Sequence, residues 1–189
     1  MNYLGHWLFS DPTPDALMGS LWPDFGKRPS PDEVSEEFLV HFDRHQWLDK
    51  ETDRTPILEP LRQALRPKLR KTTPIVVDML IDHHLAKHWT EYHQRSLTAF
   101  TRICYEQSRR FGALTLPAKL EKTLNWMRED DWLAGYQDPR NVLRALAGLS
   151  RRLKFDDPMV QSGHWAITQA QHHKSQISQF LTHVNRSLN

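Results

Sequence analysis

The sequence predicts an all-α protein, a single compact helical domain spanning residues 1–189. Three observations lead to that reading. Prolines, 12 against 7 glycines, stand largely where a helix would begin rather than inside one. Apolar residues recur at three- and four-residue spacings over long stretches, the period of a helix that turns one face inward. The composition is 39% hydrophobic and 25% charged, with 7 Trp, 8 Phe and 4 Tyr, which suits a soluble chain with large pieces for a core. A chain of 189 residues folded as one domain buries roughly two-thirds of the surface it exposes when unfolded.

The elements follow in order. Two short apolar segments open the chain and read as helices over about 3–9 and 14–21. Ser30-Pro31-Asp32-Glu33 places a capping Ser, a Pro at the first helical position and a Glu three residues after the cap, predicting a helix over 31–53. Thr55-Pro56 and Thr73-Pro74 repeat the cap-and-proline arrangement and predict helices over 56–70 and 74–92. The run Ile75-Val76-Val77 would suit a strand, but it continues to Trp89 without a break, which favours a helix. Further helices are expected over 96–111, 117–134, 139–152 and 158–184, with turns around Gly112, 135–139 and 155–158. No internal repeat and no low-complexity segment interrupts them.

Charge narrows the function classes. Lys and Arg number 25 against 23 Asp and Glu, a formal +2, too little by itself to indicate nucleic acid, and none is expected as a partner. Basic residues nevertheless cluster. Arg62, Arg66, Lys68, Arg70 and Lys71 form a run without an acidic residue, and Arg140, Arg144, Arg151, Arg152 and Lys154 form a second stretch. Each reads either as an ordinary solvated helix face or as an electropositive surface for an acidic partner. Cys104 is alone, which excludes an intramolecular disulfide framework. The chain has no basic leader and no run of eighteen apolar residues, so no membrane insertion and a cytoplasmic location are expected.

The chemistry concentrates on two predicted helices. In TPIVVDMLIDHHLAKHW, at about 100° per residue, Ile75, Asp78, Met79, Asp82, His83, Leu85, Ala86 and Trp89 share one broad face. A buried carboxylate is costly unless paired or bound to metal, and Asp78 and Asp82, four residues apart, would also repel each other. A divalent cation relieves both costs; hydrogen bonds to Arg, Lys or a helix terminus in the core are the alternative. On the helix predicted over 31–53, Val34, Phe38, Phe42, His45, Asp49 and Asp53 align, so an apolar stripe runs into ionisable side chains. His45 and Asp49 can share one ion, or Asp49 can hold the His45 ring in the tautomer that frees its other nitrogen, the role that suits it slightly better. His6, within Tyr3-Leu4-Gly5-His6-Trp7-Leu8, and Asp24, after Trp22-Pro23, complete a mixed His and Asp set. Such donors suit Mn2+, Mg2+ or Fe2+ better than a thiolate-bound zinc.

These residues resemble a known family. MNYLGHWLFS, Pro23-Asp24-Phe25, His45-Gln46-Trp47-Leu48-Asp49 with Thr52-Asp53, and Asp78-Met79-Leu80-Ile81-Asp82-His83-His84 with His88-Trp89 are similar to the acyl carrier protein phosphodiesterases of Gram-negative bacteria. The likeness is strong over residues 1–90 and weak after about 155. It implies an all-helical fold of divergent histidine-aspartate (HD-type) phosphohydrolase kind and a divalent cofactor, Mn2+ first. It also implies release of 4′-phosphopantetheine from the serine of holo acyl carrier protein. By the same resemblance His6, Asp24, His45, Asp78, Asp82 and His83 are the metal and activity residues, with Asp24 or Asp82 orienting the attacking water or taking its proton. The chain departs from the family at Gln46, where Arg is common, and at Asp43, where His is often found.

The basic run from Arg62 to Lys71 is the expected docking face for the acidic carrier protein. Two other readings keep part of this chemistry. One is a metal-dependent phosphohydrolase of a nucleotide or other small phosphate ester, which needs a pocket for a base. The other is a helical module that binds an acidic protein without turnover and needs no metal.

Overall fold

A computed structural model describes residues 1–188. Among them all regular structure is helical: α1 (Tyr3–Leu8), α2 (Pro14–Gly19), α3 (Glu36–Arg54), α4 (Glu59–Leu69), α5 (Thr73–Lys87), α6 (Leu97–Ser108), α7 (Ala118–Glu129), α8 (Trp132–Gly135), α9 (Pro139–Ser150), α10 (Met159–His172) and α11 (Lys174–Leu188). No helix among these residues is long and apolar enough to cross a membrane.

The all-α expectation holds, and the differences lie at helix ends. The helix expected from residue 31 starts at Glu36. Ser30 and Glu33 close a turn instead: the Ser30 amide donates to Glu33 Oε2 at 2.8 Å and the Glu33 amide to the Ser30 carbonyl at 3.0 Å. Ser35 is the cap, its hydroxyl accepting from the Phe38 amide at 3.2 Å, and Glu36 and Glu37 complement the positive end of the helix. Thr73 does not cap α5; its hydroxyl donates to the Arg70 carbonyl at 2.7 Å. Helix α5 stops at Lys87, before a 3-10 turn over Trp89–Glu91. The helix expected over 117–134 breaks at Asp131, whose φ of 42° is left-handed, a conformation Asp tolerates better than most residues. His173 divides the last expected helix into α10 and α11.

One core runs through the protein and includes Trp7, Phe38, Leu58, Leu65, Leu80, Tyr136 and Phe180. Helix α5 lies at its centre, against α1, α4, α9 and α10. From Met79 to Ala86 every residue of α5 is buried, so it has no solvated back and the expected single inward face does not exist. Its polar residues therefore reach different neighbours.

Arg62 overturns part of the expected docking face. It is 5% exposed and ties the C-terminal end of α3 to α4, donating to the Thr52 carbonyl at 2.8 Å, to the Thr55 carbonyl and to Glu59 at 3.0 Å. The carbonyls that end a helix need donors, and a guanidinium supplies several at once. It cannot also meet a partner. Arg66, Lys68, Arg70 and Lys71 remain exposed, Arg66 paired with Glu59 and Lys68 lying 4.6 Å over Trp165. Arg62→Ala should cost about 3 kcal/mol by leaving buried carbonyls unpaired, read as a lower urea midpoint, whereas Arg70→Ala should change it by less than about 0.5 kcal/mol.

His84 supplies an acid sensitivity. Its Nε2 lies 3.0 Å from both the Tyr92 hydroxyl and the Ser178 hydroxyl, and burial, then the charges of His88 and His83, lowers its pKa from 6.5 to about 4. Below pH 6.5 the unfolded chain takes up a proton there that the folded protein refuses, so this stability is lost as pH falls toward about 4, at up to about 1.4 kcal/mol per pH unit. Asp78 and Asp82, with raised pKa values, act in the opposite sense. The comparison that isolates His84 is therefore wild type against His84→Gln: the loss of unfolding free energy between pH 7 and pH 5, read from urea denaturation, should be larger in wild type by roughly 2 kcal/mol.

Candidate metal centre

Helix α1 is six residues long and would not persist alone. Its N-terminal end is held by Asp82 of α5, fully buried, whose Oδ2 accepts the Leu4 amide at 2.8 Å and Oδ1 the Gly5 amide at 3.1 Å. That contact presents His6 to His45 and Asp49, which are one turn apart on α3.

The two imidazoles stack with centroids 3.8 Å apart and planes within 8°. Asp49 faces both: Oδ1 is 3.1 Å from His6 Nε2 and Oδ2 is 3.0 Å from His45 Nε2. One ligand atom from each of His6, His45 and Asp49 fits within 4.8 Å of the others. Asp24, on the 3-10 turn Trp22–Asp24, stands 3.7 Å from His45 Nε2 with its side chain 46% exposed. Asp78 joins through the α-ammonium of Met1, which lies 3.1 Å from Asp49 Oδ1 and 2.9 Å from Asp78 Oδ1.

Protonation follows from these contacts. His45 Nδ1 is 2.7 Å from the Ser20 carbonyl, which can only accept, so Nδ1 carries hydrogen and Nε2 faces the carboxylates. Burial opposes charge on His45, but the Asp49 hydrogen bond and charge outweigh it and raise its pKa. His6 goes the other way: burial, then the charge of His45, pushes it down to about 3. A neutral His6 keeps a lone pair, and both its ring nitrogens are sealed from solvent without an aligned hydrogen bond. Burial raises Asp78 to about 6 even beside the ammonium.

The site fits a divalent cation on these grounds. Orphaned buried imidazole nitrogens are uncommon where no ligand is intended. A cationic group already stands between Asp49 and Asp78, and two nitrogens with carboxylate oxygens match the donor preferences of Mn2+ or Fe2+. His6, Asp24, His45 and Asp78 gather here from four segments. Asp82 is instead occupied by the α1 amides, with burial raising its pKa to about 7, and His83 turns to Tyr136, its Nδ1 2.7 Å from that carbonyl. Asp49 is more central than its sequence position indicated; its four-residue spacing from His45 was the available signal. The Met1 ammonium gave none.

A family model described as acyl carrier protein phosphodiesterase matches residues 1–185. The chain belongs to this family. Similar proteins named acyl carrier protein phosphodiesterase occur in Escherichia coli O139:H28 (strain E24377A / ETEC), 27% identical over 161 residues, and in Shigella boydii serotype 18 (strain CDC 3083-94 / BS512), 28% identical over 161 residues. In both comparisons the match covers 82% of this chain and 81% of the relative. No solved structure matches the chain, so the HD-type likeness of an acyl carrier protein phosphodiesterase fold stays an implication of sequence. The family makes this chain a hydrolase. Gln46, where the resemblance implies an Arg, is exposed, and Arg28 is engaged by Asp43 through bonds of 2.9 and 2.8 Å.

Proposed function

We propose that the chain hydrolyses the phosphodiester between 4′-phosphopantetheine and a serine of holo acyl carrier protein, with a divalent cation, Mn2+ first, held by His6, His45 and Asp49 and flanked by Asp78. The observation that supports this most is the convergence of His6, His45 and Asp49 from two helices on one point. When bound, such a cation draws charge from a phosphoryl oxygen and lowers the pKa of water. The Ser20 carbonyl fixes the His45 ring, and Asp82 keeps α1, and with it His6, in register. Asp24, 46% exposed and 3.7 Å from His45 Nε2, is the group that orients the attacking water and accepts its proton in this reading. Attack in line with the serine oxygen expels the carrier and leaves phosphopantetheine. Holo acyl carrier protein makes the cytoplasm the compartment of action.

The test is to incubate metal-loaded and chelator-treated protein with holo acyl carrier protein and weigh both products. Apo carrier and 4′-phosphopantetheine should appear only with metal, and readdition of Mn2+ should restore both. Intact carrier beside cleavage of a nucleotide phosphodiester would replace the substrate, and a protein that binds the carrier without metal or turnover would replace the enzyme.

A further inference from the structure

A cavity of about 450 Å³ opens beside the metal centre, between the start of the chain and helices α5, α7, α8 and α9. Asn2 and Tyr3 form the wall toward the cluster. Met1 lies in the cluster and Tyr3 lines the cavity, so their Cα atoms are no more than about 7 Å apart. Tyr3 also packs on Phe25, centroids 6.1 Å apart, next to Asp24. An extended molecule with its phosphate at the cluster has this cavity as a neighbouring place for its remainder.

The lining narrows what that remainder is. Trp126, Trp132 and Tyr136 offer aromatic faces. Trp126 is 45% exposed, among the largest apolar groups left open to solvent. Tyr136, 1% exposed and part of the core, also lines the cavity. At the mouth Arg144, Arg151 and Arg152 are exposed, Arg151 and Arg152 without an ion pair among the described residues, against Asp130 as the one lining carboxylate. Aromatic walls with a few hydrogen-bonding groups suit an uncharged amide-bearing chain, and the basic rim suits an acidic carrier.

We propose that this cavity is the subsite for the pantetheine arm of the substrate, with the arm laid against Trp126, Trp132 and Tyr136 and its acidic carrier met by Arg144, Arg151 and Arg152. This rests on the reading of the reaction given above. The rim also replaces the face around Arg62 as the docking surface.

Gly148 of α9 allows a direct test. It lines the cavity, and a Cβ there would meet only the flexible end of Arg151, Nη2 at 3.8 Å, so Gly148→Leu directs a side chain into that space. Pantetheine, which has no phosphate, is titrated into chelator-treated protein and followed by ligand-observed NMR and calorimetry. Saturable binding to wild type is expected with millimolar or tighter Kd, weakened at least about tenfold in Gly148→Leu and several-fold in Trp126→Ala, with melting temperature and metal content unchanged. On holo acyl carrier protein, Gly148→Leu should raise KM far more than it lowers kcat. No binding to wild type up to about 10 mM, or equal binding to both variants, overturns the subsite. Turnover with a KM indifferent to Gly148→Leu removes the subsite and leaves the reaction; pantetheine binding without turnover of the carrier protein removes the reaction and leaves the cavity as a site for such chains.

Discussion

Asp49→Ala should give a folded protein that no longer retains its metal and has lost at least about 100-fold in kcat/KM toward holo acyl carrier protein, since ligand-orienting groups alone are worth 10- to 100-fold and Asp49 faces the site directly. Its side chain is 42% exposed and leaves no core void, so unfolding is not the expected cause. It is, however, the one group within 3.1 Å of His6, His45 and the Met1 ammonium together. A second readout separates this from a general loss of function. With Asp49 gone, burial acts on His45 with much less opposition, and the His45 pKa in metal-free protein should fall from its raised position, visible in an imidazole NMR titration. Asp49→Asn should lose metal as well, because the amide keeps the shape and not the charge. Normal metal content and rate in both variants would remove Asp49 from the centre.

Asp82→Ala should act through the fold. Its two oxygens accept the Leu4 and Gly5 amides at full burial, and removing them leaves those two amides without acceptors. A lost cap and unpaired buried amides together amount to about 3 kcal/mol, read as a lowered urea midpoint of the metal-free protein. Asp82→Asn keeps one acceptor and should lose roughly half as much. Activity should fall in proportion to the displacement of His6, and excess Mn2+ should recover part of it, which does not happen when a ligand itself is missing. If the metal-free stability of Asp82→Ala is that of wild type while metal content collapses, Asp82 is a ligand after all and the capping role is secondary.

The contrast between these two aspartates shows what sequence determines in this protein. Helix content was legible because periodicity and proline placement are local properties, felt within a turn or two of the chain. His45 and Asp49 were legible as a pair for the same reason: four residues apart on one helix, they must share a face. His6 and Asp24 could be joined to them only as further donors of the same chemistry and through the family resemblance, because nothing local links Tyr3–Leu8 to Glu36–Arg54.

The tertiary structure decided the rest. Ionisable groups embedded in the apolar helix over residues 73–87 marked an anomaly, but α5 is buried on nearly all sides and each further residue turns about 100° toward a different neighbour. Asp78 therefore meets the cluster, Asp82 the end of a helix 78 positions away, and His83 the Tyr136 carbonyl. Arg62 looked like surface because its neighbours in sequence are basic and solvated, yet two helix-ending carbonyls from Thr52 and Thr55 drew it inside. Sequence fixes which groups need a partner, since burial and charge have a cost that must be met; only the packing of distant segments decides which partner meets it.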